Sequence, residues 1–491
     1  MAFCLEAYSA MKLKQFILLL LCLAPFASLV GQEFEVNGIN YKLTQKRTGK
    51  GMIAYVTGSK STEPNVIIPN KVLYNGKFFV VVGIEEYAFE YCSSLTSINL
   101  PKSLKEIGEG AFFNCENLTS INIPNSVTHI GDAAFAARNS GLQILKIDKA
   151  TPNIGSAAFS SVNLNSISVS KNNRRYMVKD GVLFNKEQDT LFRYPAQKTD
   201  TLYNIPNGVK EIMPGAFTAC AHLKSVTIPA SMSKIGERAF PACHSLERLT
   251  IPSNIKSIGE RAFFDCDNLK YIDLPNTIER IGAGAFQYCE SLTLLNLPNS
   301  ITKIEEGVFA SSGIVSIEIP NSVVEIERSA FEECVSLENI VLPNSLQYIG
   351  VSAFFACSQL QSVTIPNTLK EIEYGAFQGC RSLENIVLPD SLQYIAYGLF
   401  FGSGIKKLII PKRVKSICPG CECETGCNFF SRHIEEITVL WDNPSDVLIG
   451  GIYDRLDGGG RIILRVSKGS KELYEADKRW RRFIIVESGI D

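Results

Sequence analysis

The sequence has little of what several classes of protein require. Only four of its 491 residues are histidines, which leaves little material for a histidine-built metal centre. Its 49 lysine and arginine residues are balanced by 50 acidic residues, so no basic excess is present to neutralise nucleic-acid phosphates. No HExxH motif, nucleophile elbow, phosphate-binding loop or dinucleotide fingerprint occurs. We therefore expect no enzyme, no metal site, no cofactor and no nucleic-acid partner.

Long apolar runs are also lacking, apart from a short one near the N-terminus. Lys12 and Lys14 precede an apolar stretch from Phe16 to Ala24, in the layout of a secretory signal peptide with cleavage before Gln32. This stretch is far shorter than the roughly 20 residues that span a bilayer, so no transmembrane segment is expected. Because the first ten residues carry an acid and no base, we expect translation to start at Met11. The mature chain is predicted to be exported.

What the sequence does have is an internal repeat. A phenylalanine, usually after alanine, recurs about every 23 residues, with one longer gap between Phe159 and Phe217. Repetition at a period of 20–29 residues is typical of a solenoid, in which each coil buries its apolar side against its neighbours. Thirteen units carry this mark, at Phe89, Phe112, Phe135, Phe159, Phe217, Phe240, Phe263, Phe286, Phe309, Phe331, Phe354, Phe377 and Phe400.

A single unit can be interpreted residue by residue. The segment from Ser245 to Cys266 reads SLERLTIPSNIKSIGERAFFDC. Its first part alternates apolar and polar residues, as a short strand does, and ends at a proline, which cannot donate to a strand ladder. Next come a second pair of apolar residues and a glycine that allows a tight bend. The unit ends in a turn, and the phenylalanine of that turn fills the interior of the coil. The fold class is therefore a β-rich (α+β) repeat solenoid of about 13 coils.

The repeated motif resembles that of a known family, the BspA-like leucine-rich repeat proteins of bacterial and some parasite surfaces. The resemblance rests on units such as Ile319 to Leu337 and covers roughly residues 34–487. It implies an exported, non-enzymatic, monomeric protein that adheres to an extracellular or cell-surface protein, such as a host matrix protein. The predicted location is the cell surface or outer membrane or the secreted fraction, with the periplasm as an alternative. Binding of a carbohydrate and a structural role in the envelope are the alternatives.

These observations predict a domain organisation with one insert. The segments are a signal peptide (1–31), a β-rich N-terminal cap (32–83), repeats (84–169), a β-hairpin insert (170–205), repeats (206–417), and a cysteine-rich turn with a last repeat and a C-terminal cap (418–491). Within the cap, residues 470–483 are predicted to form a helix that covers the solenoid end with Leu473, Ala476, Trp480 and Phe483. For the insert, an inert elaboration is favoured over a ligand-specific loop.

Fifteen cysteines require an explanation. Nine occur three residues after a repeat phenylalanine, and only in units of one turn length, which favours a buried structural role over redox chemistry or metal binding. Neighbouring coils also hold side chains further apart than a disulfide needs. This cysteine ladder comprises Cys92, Cys115, Cys220, Cys243, Cys266, Cys289, Cys334, Cys357 and Cys380.

A second group of cysteines interrupts the repeat as CPGCECETGC. Export favours two local disulfides. Four thiolates could instead bind zinc, although the cramped spacing is not that of a familiar zinc finger, and free thiols are the third alternative. The four are Cys418, Cys421, Cys423 and Cys427.

The candidate binding surface is the outward side of the first strand of each unit. Most outward positions are small and neutral, but the centre brings Arg248, Tyr271, Asp273 and Leu294 to consecutive coils. Tyrosine and arginine are favoured anchors of protein interfaces, whereas sugar binding usually needs more exposed aromatic rings than Tyr271 alone. The predicted ligand-binding residues are Ser225, Thr227, Arg248, Thr250, Tyr271, Asp273, Leu294, Asn296 and Glu318.

Overall fold

A computed structural model describes residues 29–46, 51–59, 63–137, 141–147, 149, 153–160, 163–418, 433–449, 462–480 and 483–488. The described chain divides into two compact units. The first contains the residues up to Lys198 together with Met213–Ala216, and the second contains Thr199–Ile212 and the residues from Phe217 onward. Both units are built from parallel β-coils, as the repeat predicts.

Each coil consists of an outer strand, a short strand and a turn. In the coil that starts at Leu246, the proline that ends the outer strand accepts a backbone hydrogen bond from Ile255, and this closes the first corner (3.2 Å). Apolar residues spaced along all three segments point inward, and Leu249, Ile258 and Phe263 are buried. The core is therefore a column of side chains, to which each coil contributes one layer.

The first unit starts with antiparallel strands and continues into parallel ones. Its N-terminal strands are Glu33–Val36, Ile39–Gln45, Met52–Ser59, Lys71–Tyr74 and Lys77–Ile84. Its outer strands are Asn65–Ile67, Ser97–Asn99, Ser120–Ile123, Ile144–Ile147 and Ser166–Val169. Its short strands are Glu106–Ile107, His129–Ile130 and Asn153–Ile154. The insert is a three-stranded antiparallel meander of Tyr176–Lys179, Val182–Asn185 and Thr190–Arg193.

The second unit contains two series of strands that run in parallel. Its outer strands are Leu202–Asn204, Ser225–Thr227, Arg248–Thr250, Tyr271–Ile272, Ser316–Glu318, Asn339–Val341, Ser362–Thr364, Asn385–Val387, Lys407–Ile410, Glu436–Val439, Ile463–Ser467 and Ile484–Ser488. Its short strands are Glu211–Ile212, Lys234–Ile235, Ser257–Ile258, Arg280–Ile281, Lys303–Ile304, Glu325–Ile326, Tyr348–Ile349, Glu371–Ile372, Tyr394–Ile395, Ser416–Ile417 and Leu448–Ile449. The described residues of this unit also form a 3₁₀ turn, Pro444–Asp446, and an α-helix, Lys471–Ala476.

The repeat phenylalanines stack on one another inside both units. In the first unit Phe89, Phe112 and Phe135 lie with ring centroids 5.2 Å apart and nearly parallel planes. In the second unit the same contact recurs from Phe217 to Phe400, with centroid distances of 4.6–6.2 Å. Offset aromatic pairs of this kind contribute about 0.5–1.5 kcal/mol each beyond the burial of their area.

The number of coils is slightly larger than expected. The structure has about 17 turns, whereas the phenylalanine count predicts thirteen. The difference arises because turns at the flanks lack the repeat phenylalanine. In the first unit Met52–Ser59 pairs in parallel with Lys77–Ile84, and in the second unit Ile463–Ser467 pairs in parallel with Ile484–Ser488.

The prediction of a helix over residues 470–483 is wrong in its length, and it is also wrong about one of the residues that the helix should bury. The helix ends at Ala476, and the following chain returns to a strand at Ile484. Leu473, which the helical periodicity placed inward, is 48% exposed, whereas Tyr474 is fully buried and donates a hydrogen bond to the Trp441 carbonyl oxygen (3.1 Å). Two buried tryptophans, Trp441 and Trp480, have ring centroids 6.4 Å apart and fill this end of the unit.

The glycine that follows the short strand has a different role from the predicted tight bend. A Cβ atom on Gly259 would lie 2.5 Å from the backbone nitrogen of Glu237 in the preceding coil. The same close approach recurs at Gly282, where the nearest atom is the Glu260 nitrogen at 2.6 Å. In these coils the glycine therefore lets two backbones pack directly.

Some of the predicted features lie outside the described residues. They are most of the predicted signal peptide, and Cys421, Cys423 and Cys427 of the cysteine-rich turn. Cys418, the first cysteine of that turn, is buried.

Candidate functional site

The candidate site lies on the outer strands of the second unit. Alternation along each strand buries the middle residue and exposes its two neighbours, as in Arg248–Thr250, where Leu249 is 2% exposed. The strand register places Ser225, Arg248 and Tyr271 side by side on three successive coils. The outward residues of these three coils therefore form a column.

Arg248 and Tyr271 form a direct contact within this column. The guanidinium carbon of Arg248 lies 5.4 Å from the centroid of the Tyr271 ring, which is the geometry of a cation–π pair. The Tyr271 side chain is 62% exposed. The pair thus presents a positive charge and an apolar ring on the surface, and the ring limits the positions that the guanidinium group can take.

Leu294 lies one coil further and is 71% exposed. The ladder of outer strands is interrupted here, since Leu294 makes only an isolated bridge to Ser316. The neighbouring predicted residues Thr250, Asp273, Asn296 and Glu318 are also exposed. Ser225 and Thr227 are half-buried, which leaves them less available to a partner.

The same face carries a second exposed apolar group that the sequence interpretation missed. Val341, Val387 and Ile409 are 59%, 73% and 52% exposed, and Thr364 occupies the same column between the two valines. The strand register pairs Val387 with Ile409 directly. The sequence contained a signal for this group. Strand alternation predicts that these positions point outward, and an apolar residue at an outward position is unusual enough to mark a candidate contact surface.

The repeat region of the chain matches a known protein family. The BspA type leucine rich repeat region matches six times, over residues 80–182, 189–315 and 302–424, and these ranges cover more than half of the chain.

The chain belongs to the BspA-type leucine-rich repeat family.

Several solved structures are similar to the chain at low sequence identity. A leucine rich cell surface protein from Faecalibacterium prausnitzii is 22% identical, covering 84% of this chain and 96% of its own, with a TM-score of 0.44. A leucine-rich repeat protein from Bacteroides ovatus is 26% identical, covering 77% and 95%, with a TM-score of 0.40. The pneumococcal vaccine antigen PcpA is 22% identical, covering 66% and 94%, with a TM-score of 0.45. No protein of curated function matches the chain.

The ladder cysteines occupy one position of the BspA-type coil and form a specific contact there. The thiol of Cys357 is fully buried and donates to the carbonyl oxygen of Phe331 in the preceding coil (3.1 Å). That oxygen also accepts the backbone N–H of Cys334 (3.2 Å). Seven ladder thiols make this contact at 2.9–3.2 Å, namely Cys115, Cys243, Cys266, Cys289, Cys334, Cys357 and Cys380.

Burial makes these thiols poor acids. It raises the pKa of Cys334 to about 11 and that of Cys380 to about 12, and it raises the pKa of Cys357 well above the ordinary value. A thiol nucleophile needs the opposite change, because the thiolate is the reactive form. In a shorter BspA-type coil the same position holds Ser312, whose hydroxyl lies 3.4 Å from the Cys334 sulfur. The burial and these contacts agree with the predicted structural role of the ladder, which stays a prediction.

The histidines do not assemble into a reactive group. His244 has one ring nitrogen 3.3 Å from an Asp267 oxygen and the other 3.9 Å from an Asp265 oxygen, at an exposed turn. Burial raises the pKa of Asp265. In the part of the chain that the structure describes, no three His, Cys, Asp or Glu residues are placed to hold a metal ion. Across the same residues, no helix is both long and apolar enough to cross a lipid bilayer.

Proposed function

We propose that this chain is an exported, non-enzymatic adhesion protein that binds another protein through the outer strands of its second unit. The observation that carries the proposal is the Arg248–Tyr271 pair with the exposed Leu294 one coil away. Tyrosine and arginine dominate the binding energy of protein interfaces because each combines a large contact area with a polar group. The partner is an extracellular or cell-surface protein, such as a host matrix protein.

The physical chemistry of the face supports binding over catalysis. An exposed, outward-facing strand surface excludes no water, whereas general acid–base or nucleophilic catalysis depends on groups whose pKa values are adjusted by burial or by charged neighbours. Arg248, Tyr271 and Leu294 supply charge, aromatic area and aliphatic area. These are the components of a binding anchor.

A carbohydrate ligand is the second candidate, and an envelope scaffold without ligand is the third. Sugar binding at the outer strands would depend on a single exposed ring, that of Tyr271, because the other outward positions of these coils are not aromatic. A protein partner can use Leu294 and the column of Val387 and Ile409 as well. This difference in usable apolar area favours the protein ligand.

The proposal is tested by binding of the full chain to immobilised matrix proteins and to a glycan array. The double variant Arg248→Ala with Tyr271→Ala should weaken protein binding at least tenfold, because truncation of an interface anchor costs about 2 kcal/mol or more. Both side chains are exposed, so the thermal midpoint should stay within about 2 °C of the original value.

A matched control comes from the turn side of neighbouring coils. Arg261 lies 5.7 Å from the Phe264 ring, and that ring packs edge-on against exposed Tyr288 with centroids 5.4 Å apart. The double variant Arg261→Ala with Tyr288→Ala therefore removes the same two residue types from a different face. Equal loss of binding in both double variants would contradict an outer-strand site. If the chain bound glycans on the array and bound no matrix protein, the carbohydrate candidate would be favoured.

A further inference from the structure

The insert of the first unit contains more basic than acidic residues, whereas the chain as a whole is balanced. Residues 170–198 contain seven basic and three acidic residues, in a chain that has 49 basic and 50 acidic residues overall. We name five exposed residues of the insert and its neighbouring coil the basic cluster. They are Lys146, Lys171, Arg174, Arg175 and Lys186.

The basic cluster lacks the ion pairs found repeatedly in the second unit. There, basic residues pair with acids of adjacent coils, as Lys224 does with Glu247 (3.3 Å) and Lys256 with Glu279 (3.2 Å). Among the ion pairs of the described residues, none involves a member of the basic cluster. Its charges are thus available to an external anion.

A buried asparagine fixes the loop that carries the two arginines. Asn173 is 2% exposed, and its side-chain oxygen accepts the backbone N–H groups of both Arg175 and Tyr176 (2.9 Å each). An asparagine in this role holds a turn in one conformation. The arginines therefore project from an ordered backbone, which lowers the entropy that a ligand would have to remove.

The meander also places two like charges directly across from each other. Tyr176 pairs with Asn185 in the antiparallel register, and the next backbone bond runs from the Lys186 nitrogen to the Arg175 oxygen (2.8 Å). Like charges at opposite positions of two strands destabilise a sheet. Among the described residues neither Arg175 nor Lys186 has an ion-paired acid, and an anionic ligand would supply the opposite charge.

The two remaining members of the cluster lie on the adjoining coil and turn. Lys146 is outward on Ile144–Ile147, whose register pairs it with Ser168. The backbone N–H of Ser170 donates to the Ile147 oxygen (2.9 Å), so the turn with Lys171 leaves the sheet beside the strand that carries Lys146. The cluster thus extends from the outer strands onto the insert.

We propose that the basic cluster binds a linear sulfated polysaccharide. Arginine forms paired hydrogen bonds with the oxygens of planar or tetrahedral anions, and lysine adds point charges along a chain. This proposal assigns a ligand to the insert, which the sequence had favoured as an inert elaboration, and it does not depend on the outer-strand site of the second unit.

The composition of the cluster argues against other polyanions. Single-stranded nucleic acid binding uses aromatic side chains on which bases stack, but the nearest tyrosine, Tyr176, is only 4% exposed, and its hydroxyl accepts a hydrogen bond from the Ile154 backbone (3.3 Å). The cluster itself contains no apolar side chain to insert into a lipid surface. A flexible chain of sulfate groups needs only the charges and hydrogen-bond donors that are present.

The test measures binding of heparin to the full chain between 50 and 300 mM NaCl. The double variant Arg175→Gln with Lys186→Gln should weaken binding at least tenfold at low salt. The slope of log affinity against log salt should fall by about two, one for each cation removed. The thermal midpoint should not fall, because the opposed like charges are relieved.

The control variant, Lys224→Gln with Lys256→Gln, removes the same net charge from paired positions of the second unit and should change binding less than twofold. The Arg248→Ala with Tyr271→Ala variant should also bind heparin normally, which separates this proposal from the proposed function. Absence of heparin binding at 50 mM NaCl would overturn the inference. The inference would also be overturned if the Arg175→Gln with Lys186→Gln variant and the Lys224→Gln with Lys256→Gln variant weakened heparin binding equally. The same holds if desulfated heparin, duplex DNA or phosphatidylserine vesicles bound the chain as tightly as heparin does.

Discussion

The ladder thiols should make the second unit sensitive to alkali. Five of them are fully buried and have pKa values that burial raises above the ordinary value: Cys266, Cys289, Cys334, Cys357 and Cys380. In the folded unit these thiols stay protonated, whereas in the unfolded chain they ionise near pH 9. The stability that they contribute is therefore complete below pH 9 and is lost as the pH rises toward the folded pKa values, about 11 for Cys334 and about 12 for Cys380.

The size of the effect follows from the linkage between pKa and stability. Between pH 9 and pH 10, ionisation of one thiol in the unfolded chain stabilises that state by roughly 1 kcal/mol. Over this interval five such thiols together lower the free energy of unfolding by about 5 kcal/mol. This is a large fraction of the 5–15 kcal/mol that is usual for a folded domain. Urea unfolding at pH 8, 9 and 10, with a phosphine reductant to prevent oxidation, should show the loss.

Two variants test whether the buried thiols cause the loss of stability at high pH. Cys357→Ala with Cys380→Ala should reduce the loss between pH 9 and pH 10 by roughly 2 kcal/mol, although it lowers stability at pH 8. Leu360→Ala, at a fully buried position of the same coils, should lower stability equally at every pH because it removes no titrating group. If the double variant kept the original pH dependence, the buried thiols would not be its source.

Two further predictions concern the backbone and the C-terminal end. Ala356 has φ 58°, in the position that Gly379 fills with φ 76°, so Ala356→Gly should raise the free energy of unfolding by about 0.5–1 kcal/mol, whereas Ala353→Gly should lower it. Tyr474→Phe removes the buried donor to the Trp441 oxygen and should cost about 1–2 kcal/mol, with a changed near-ultraviolet circular dichroism signal from the adjacent tryptophans. Urea unfolding of the Ala356→Gly and Tyr474→Phe variants measures both changes. An unchanged urea midpoint in one of these variants would contradict the reasoning for that variant.

The coil was predictable because its signals are local and repeated. The alternation that places Leu249 inward and Arg248 outward has a period of two, and the sheet shows the same assignment. The pairing of Arg248 with Tyr271 also followed from the constant coil length, since equal lengths keep equivalent residues in register. Each of these inferences used one unit and its immediate neighbour.

Features that depend on contacts between coils or on a single occurrence were not predictable. The sequence marks the cysteine position but not its acceptor, because the Phe331 oxygen belongs to the coil before that of Cys357. The short helix at Lys471–Ala476 occurs once. The apolar periodicity extended it to Trp480 and Phe483, which are buried but lie beyond the end of the helix. The flanking turns were missed because they lack the phenylalanine by which coils were counted.

A repeat protein separates the positions that maintain the fold from those that can bind. Inward positions such as Phe331 and Cys357 are fixed by contacts with the coils on either side, so their substitution destabilises the stack. Outward positions have few such contacts and can change without loss of the fold. Departures from small, neutral residues at outward positions are therefore informative. The Arg248–Tyr271 pair and the basic cluster are two such departures, and we propose a different ligand for each.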